Sequence, residues 1–404
     1  MKIRKPKYYD EFQCIGGACQ DTCCAGWEIE IDEETAERYD RIDGEIGNRL
    51  KENITKTEEE VYFNLQEGKR CPFLNNENLC DLIVELGEGV LCDICREHPR
   101  HYQWFGDYTE VGIGLCCEEA GRLLFQSPEK LEMVLEETVE EDVLPDVLET
   151  IEDNSQTGDA EEQEYIELLL QARETAYSIM QNRDMSIKER LILLLQYGEE
   201  LQEAWDVDDY ESIRFATGVY SNPDAFVSAW KQMEVICGLQ TKDSVEGEHI
   251  ELEDAICEQW KDLLTLFHDM ESLDDTWPAR IENLLQQLPE LLNARTGFAE
   301  YYPNARYEYE HFAVYLLYRY FMEALFDGDI LGKVKFVAVS VMLLELMDVE
   351  TYGREQAFTL WSRIQNAKQY SKEIEYCTEN MEAFAEKSWQ EECLSITVLI
   401  EMLQ

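Results

Sequence analysis

The chain has 404 residues, of which 45% are hydrophobic and 11% aromatic, enough to build well-developed cores in about two or three domains. Thirty-four basic against 87 acidic residues give a formal net charge of -53, a field that repels a phosphate backbone and argues against a nucleic-acid partner while attracting cationic protein surfaces. The opening MKIRKPKYYDEF has no apolar stretch of the secretory kind, and the most apolar later segments carry Arg319, Lys335 and Glu345 and fall short of the ~20 residues that span a bilayer. A cytoplasmic protein with no membrane partner is therefore expected; the sequence sets no oligomeric state.

In chain order, Trp27, Ile29 and Ile31 alternate with Glu28 and Glu30 as a half-buried strand does, and Asp32 then suits the cap of a helix running to about Ile42. Val61, Phe63 and Leu65 repeat the period of two. Pro72–Leu74 and Leu79–Leu82 flank the turn-formers Asn75–Asn78, so a hairpin there brings Cys71 and Cys80 together. Glu110–Val111–Gly112–Ile113–Gly114 has two of the glycines of a nucleotide-binding loop but lacks the third and the βαβ context, and is rejected as one. From about Leu123 the pattern turns helical. Glu141–Glu164 is acidic around Asn154–Gly158 and reads as a connecting segment. Ser186–Glu189 has capping-box spacing ahead of an apolar face of Ile187, Leu191, Leu194, Leu195 and Leu201. Tyr307–Phe326 and Leu331–Met347, parted by Asp327–Gly328–Asp329, predict a helical hairpin at the centre of the last core. The expected fold is mainly α: a small mixed cysteine-rich module over residues 1–125, an acidic connection over 126–165 and an all-helical domain over 166–404.

Ten of the 14 cysteines precede residue 120: Cys14, Cys19, Cys23, Cys24, Cys71, Cys80, Cys92, Cys95, Cys116 and Cys117. Cys237, Cys257, Cys377 and Cys393 stand alone and read as small buried apolar side chains. A reducing compartment disfavours a disulfide framework, and thiolates are soft ligands for zinc or for an iron–sulfur cluster, either of which needs four of them or three with a histidine. Cys14-x4-Cys19-x3-Cys23-Cys24 lies among glycines that let a loop fold around an ion, and Cys92-x2-Cys95 has the spacing of a metal knuckle. Successive side chains diverge, so one of Cys23/Cys24 and one of Cys116/Cys117 is open to a structural role. Zinc makes such a module purely structural, whereas a cluster, of the 4Fe-4S kind for instance, can also bind a ligand at an open iron. His98 reads as a hydrogen-bonded histidine, and Arg96 and Arg100 as ion-pairing cations. The three-cysteine spacing of radical chemistry on S-adenosylmethionine is absent, because Gly26 stands three residues after Cys23.

Four stretches, CIGGACQDTCCAGWEIEID at Cys14–Asp32, CPFLNNENLC at Cys71–Cys80, CDICREHPR at Cys92–Arg100 and LCCEEAGRLLF at Leu115–Phe125, resemble the bacterial flagellin lysine N-methylases, whose N-terminal part belongs to a wider group of zinc- or iron-chelating domains. His311–Ile330 extends the likeness into the helical half. The one departure is Cys116–Cys117, where the family pattern has a cysteine followed by proline. The resemblance implies methyl transfer from S-adenosylmethionine to lysines of flagellin, an iron–sulfur cluster or zinc in the first module, and the ten cysteines as its ligand set. An amine must lose its proton before it attacks, so a base is needed beside it. Tyr301, Tyr302, Glu308, Glu310, His311, Tyr315 and Tyr318 offer tyrosines and carboxylates in one stretch, with Glu310 and His311 as the catalytic candidates. The alternative is a non-enzymatic metal-bound scaffold or a redox protein.

Overall fold

A computed structural model describes residues 2–20, 22–57, 60–137, 160–222 and 246–404. Most of the acidic connecting segment, and Cys237, lie outside them. The described chain is mainly helical, as expected. Six strands appear: β1 (Lys2–Pro6), β2 (Ile54–Lys56), β3 (Val61–Phe63), β4 (Arg100–Phe105), β5 (Tyr108–Ile113) and β6 (Met133–Glu137). The early helices are α1 (Glu33–Asp40), α2 (Gly44–Asn53), α3 (Asp81–Leu86), α4 (Asp93–Glu97) and α5 (Glu118–Phe125). The helical half holds α6 (Ala160–Met180), α7 (Ile187–Trp205), α8 (Tyr210–Tyr220), α9 (Glu246–His268), α10 (Thr276–Gln286), α11 (Leu288–Tyr301), α12 (Ala305–Tyr320), α13 (Ile330–Glu355), α14 (Leu360–Tyr370), α15 (Thr378–Gln390) and α16 (Ile396–Leu403). A π-helical turn, Ser371–Glu375, follows α14.

Local chemistry accounts for several of these elements. Asp32 Oδ1 accepts from the Thr35 amide at 2.7 Å and starts α1, while Ser186 and Glu189 complete the capping box of α7. Asn75 Oδ1 accepts from the amides of Glu77 and Leu79, turning the chain so that Leu74 bridges Cys80. Gly328, at φ +71°, ends the short turn after α12, and Asp329 caps α13 through the Gly332 amide at 2.8 Å, which produces the expected hairpin. Segment 27–31 departs from expectation. Ile29 and Ile31 are buried, but the segment holds β3 only through the Ile31 and Phe63 amides and a bridge of Glu30 to Tyr62, so no regular strand forms.

Packing gathers the buried hydrophobic residues into a small core and a large one. A small core gathers Ile29, Tyr39, Leu50, Phe63, Phe73, Leu82 and Cys92. The large core runs from Phe105, Tyr108 and Leu115 into the helices as far as Leu403. The reason is the sheet, ordered β4-β5-β1-β6, with β1 parallel to β5 and antiparallel to β6. Every residue of β5 is buried, and Arg173 of α6 ion-pairs with Glu110 on that strand, so the sheet is pinned to the bundle. The rejected glycine loop is thus a central strand and the turn after it, and a Cβ at Gly112 would stand 2.3 Å from His101 Nε2.

At the centre of the bundle α12 and α13 are buried nearly all round, as helices without a polar face must be. Arg363 of α14, fully buried, pairs with Glu308 of α12 at 2.9 Å and with Asp348 of α13. Tyr309 and Asn366 donate to the same Asp348 at 2.7 and 2.8 Å. Burial pushes the Asp348 carboxyl up to about 6, against the pull of Arg363. Removing one partner of such a group strands the other charges away from water. Arg363→Leu is therefore expected to lower unfolding free energy by about 3–5 kcal/mol, read from urea denaturation; a loss under about 1 kcal/mol would refute this account.

Candidate functional site at the seam of module and bundle

The ten early cysteines fall into two neighbourhoods. Cys24, Cys71, Cys80, Cys92 and Cys95 lie in or against the small core, and their charges influence one another's ionisation. Burial pushes the Cys71 thiol up to about 12 and raises Cys80. Within the pair Cys92/Cys95 a hydrogen bond lowers Cys92 and raises Cys95; within Cys23/Cys24 the same effect lowers Cys24 to about 7 and raises Cys23. The second neighbourhood holds Cys23, Cys14 and Cys117, whose charges also couple. Cys23 and Cys24, hydrogen-bonded to each other, therefore join the two neighbourhoods. Cys19 ends the turn Gly16–Ala18, partly exposed.

Cys116 turns the other way, toward the bundle. Its Sγ is 3.8 Å from His98 Nε2, and it hydrogen-bonds with Tyr376. Burial pushes this thiol up to about 12 and holds the His98 imidazole down to about 4, with Lys372 adding to the latter. Trp27, whose indole donates to the Cys23 carbonyl at 2.7 Å, packs 5.5 Å from the His98 ring and 6.0 Å from Tyr376. Gly114 permits this approach, since a Cβ there would lie 1.8 Å from the Tyr376 hydroxyl.

The donor chemistry of these thiols suits a soft metal or an iron–sulfur cluster. Among the described residues, however, no three His, Cys, Asp or Glu side chains are grouped to hold a single ion.

Beneath Cys116 the seam is closed by a buried polar network. Glu375 Oε2 accepts from the hydroxyls of Tyr315 at 2.8 Å and Tyr320 at 3.0 Å and lies 3.4 Å from Arg319, whose guanidinium covers the Tyr376 ring at 4.6 Å. Tyr315 in turn accepts from the Leu115 amide at 3.3 Å. Arg319, Tyr320, Glu375 and Tyr376 escaped the sequence reading because Glu375 is remote from the aromatic helix that it serves.

Beside this network lies an acidic cavity of about 410 Å³, lined by Glu271, Glu373, Glu379 and Cys377 with Ser272 and Leu273. Cys377, expected in a core, instead borders this space. Glu373 Oε2 accepts from the Leu273 amide at 3.0 Å, and Lys69 of the cysteine module reaches the Leu273 carbonyl at 3.2 Å. Burial raises the Glu373 carboxyl above its ordinary range.

Glu310 and His311 lie elsewhere. Glu310 is fully buried between Arg183 and Arg190, at 2.8 and 2.9 Å, which makes it an anchor between α12 and the start of α7. His311 Nδ1 lies 2.8 Å from the Leu124 carbonyl, and burial lowers its pKa from the ordinary 6.5. Tyr302 donates to Glu308 at 2.8 Å and Tyr318 to the carbonyls of Arg4 and Val111, while Tyr301 packs on Tyr352. Arg96 pairs with Asp93 and Glu97, in line with ordinary pairing, whereas Arg100 covers the Phe12 ring.

In the unfolded chain His311 takes a proton as pH falls through about 6.5, whereas the folded chain resists it, so the stability due to the neutral imidazole is present above pH 6.5 and is lost below it. The urea midpoint of the unsubstituted chain should accordingly fall more steeply below pH 6.5 than that of His311→Gln. Parallel pH profiles would count against this assignment.

Residues 173–402, more than half of the chain, match the FliB lysine N-methylase C-terminal domain. The flagellar biosynthetic protein FliU of Salmonella muenchen is 26% identical over 138 residues, 32% of this chain and 81% of that protein. Lysine-N-methylases of Salmonella typhimurium and Salmonella choleraesuis are each 25% identical over 138 residues, again 32% of this chain but only 34% of their own length, so the match spans about a third of those relatives. No solved structure matches. With its helical half matched almost from end to end, the chain belongs to the FliB lysine N-methylase family.

Proposed function

We propose that this chain is a cytoplasmic protein-lysine N-methyltransferase that moves methyl groups from S-adenosylmethionine to lysine side chains of flagellin, with an iron–sulfur cluster held by the cysteine module. The observation that carries the reading is the acidic cavity at the seam, in a chain whose helical half matches a lysine N-methylase domain. Relatives named as lysine-N-methylases and as a flagellar biosynthetic protein support the acceptor class.

A lysine ammonium entering this space meets Glu271, Glu373 and Glu379, which attract the cation and orient its stem. Glu373, with its raised pKa, is the base, and its oxygen held by the Leu273 amide keeps the carboxylate from turning away. The ammonium first gives a proton to Glu373, which frees the amine lone pair; that pair then forms the N–C bond to the donor's electrophilic methyl while the C–S pair returns to sulfur, which leaves as a neutral thioether. Cys24, Cys71, Cys80, Cys92 and Cys95 are the residues that would hold a cluster, which when bound supplies cross-links to a small core. No step of methyl transfer is routed through it.

Incubation with methyl-labelled S-adenosylmethionine and unmodified flagellin should place label on lysine. Glu373→Gln, which keeps the bond to Leu273, should slow transfer by about 10²–10⁴-fold, and the acid limb of the unsubstituted profile should lie above the ordinary carboxylate range. Failure to label lysine with folded protein would reject the enzyme, and full activity of Glu373→Gln would reject the base. Independently, anaerobically purified protein should be brown and carry iron with inorganic sulfide; stoichiometric zinc without sulfide would overturn the cluster.

A further inference from the structure

A second cavity, of about 490 Å³, lies where α10, the end of α13 and α14 meet. Arg280, Arg354, Lys368 and Lys372 line it, with Glu355 as the carboxylate among them. In a chain with 34 basic residues against 87 acidic ones, so many cations around one space oppose the general trend of the surface.

The fold holds these cations in place. Arg280 bonds to the Met347 carbonyl at 3.1 Å, Thr351 at 3.0 Å and Asn366 at 2.9 Å, and pairs with Glu350 at 3.3 Å. Arg354 reaches Glu350 at 3.0 Å and Glu355 at 3.2 Å. Lys368 stands 3.8 Å from Glu118, and Lys372 lies over the Trp27 ring at 5.1 Å. Glu350 and Glu118 are buried and outside the lining, whereas Glu355 pairs with Arg354 from within it; Arg354 is exposed and the Lys368 ammonium is buried. Two further donors there are buried without hydrogen-bond partners, Arg280 Nε and Gln365 Nε2. Trp361, 39% exposed, adds a flat apolar wall.

We propose that this cavity binds a nucleotide, a small molecule in which a polyphosphate is joined to a planar base. The phosphates would lie against Arg354 and Lys372, with the buried Lys368 ammonium behind them adding to a field that favours more than one negative charge, and the base would stack on Trp361. The volume suits a ligand of that size. The lining does not suit the methyl donor, whose sulfonium is itself a cation and whose single carboxylate cannot answer this many positive groups. Glycine-loop recognition is not involved, since every donor named is a side chain. Because Lys368 faces Glu118, next to Cys117, and Lys372 faces Trp27, the bound nucleotide would adjoin the cysteine module.

Isothermal titration calorimetry on the full chain, with ADP, inorganic pyrophosphate, adenosine and S-adenosylhomocysteine, tests the inference. ADP should saturate one site, pyrophosphate should bind more weakly, adenosine should give no measurable heat, and ADP affinity should fall with added salt. Arg354→Glu combined with Lys372→Glu should weaken ADP by about 100-fold or more with the thermal melt retained. Trp361→Ala should weaken ADP and leave pyrophosphate unchanged, which also guards against a double variant that fails to fold. No saturable ADP binding, or ADP binding unaffected by both variants, would overturn the proposal. So would S-adenosylhomocysteine binding tighter than ADP and competing with it, since the cavity would then be the donor's. None of these readouts requires methyl transfer, so the inference and the enzymatic reading can fail separately.

Discussion

Glu375 places a carboxylate where water does not reach, and donors from a single helix converge on it: the hydroxyls of Tyr315 and Tyr320 and the guanidinium of Arg319. A buried charge of this kind persists only when it is paired and hydrogen-bonded. Its consequence reaches past the bundle. Tyr315, oriented by Glu375, accepts the Leu115 amide, and Arg319 carries the Tyr376 ring toward Cys116 and His98. The cysteine module is therefore seated against the helices through a carboxylate that belongs to neither the cysteine motifs nor the aromatic helix. The π-helical turn bearing Glu375 also places Lys372 in the lining of the basic cavity and Glu373 in that of the acidic one, so adjacent residues contribute to spaces of opposite charge.

Some of the scarce cations are committed to the interior. Arg173 answers Glu110 on the central strand, Arg190 answers Glu310, and Arg363 answers Glu308 and Asp348. Each pair joins two different elements, so the buried charges act as register marks between strand and helix or between helices. The excess of acid is left to the surface, where its mutual repulsion is screened by water and salt. Against that background the cations that border a cavity are the ones with something further to contact.

The cysteine module has a smaller core than the bundle, and its thiols stand in or against that core rather than around an ion-sized point. Divergent side chains at Cys116–Cys117 send one thiol toward Tyr376 and the other toward Cys14, whereas Cys23 and Cys24 stay hydrogen-bonded to each other and link the two neighbourhoods.

Local signals were legible directly. The capping box at Ser186, the cap at Asp32, the turn at Asn75–Asn78 and the hairpin at Gly328 each follow from groups within a few residues of one another, and all appear where the chain predicts them. The helical class follows equally, because amphipathic and fully apolar periods are written along single segments. The sheet was not legible as a unit, since β1 and β6 pair across more than a hundred residues and its seat on the bundle rests on Arg173 meeting Glu110. Nor were Glu373, Glu375 and the two cavities, whose lining comes from segments about a hundred residues apart in places. Composition and spacing decide which groups a chain possesses and how its helices start and stop. Which of them face each other without water, and so which carboxylates are paired with arginines and which border a cavity, is decided by burial, and burial exists only in the folded whole.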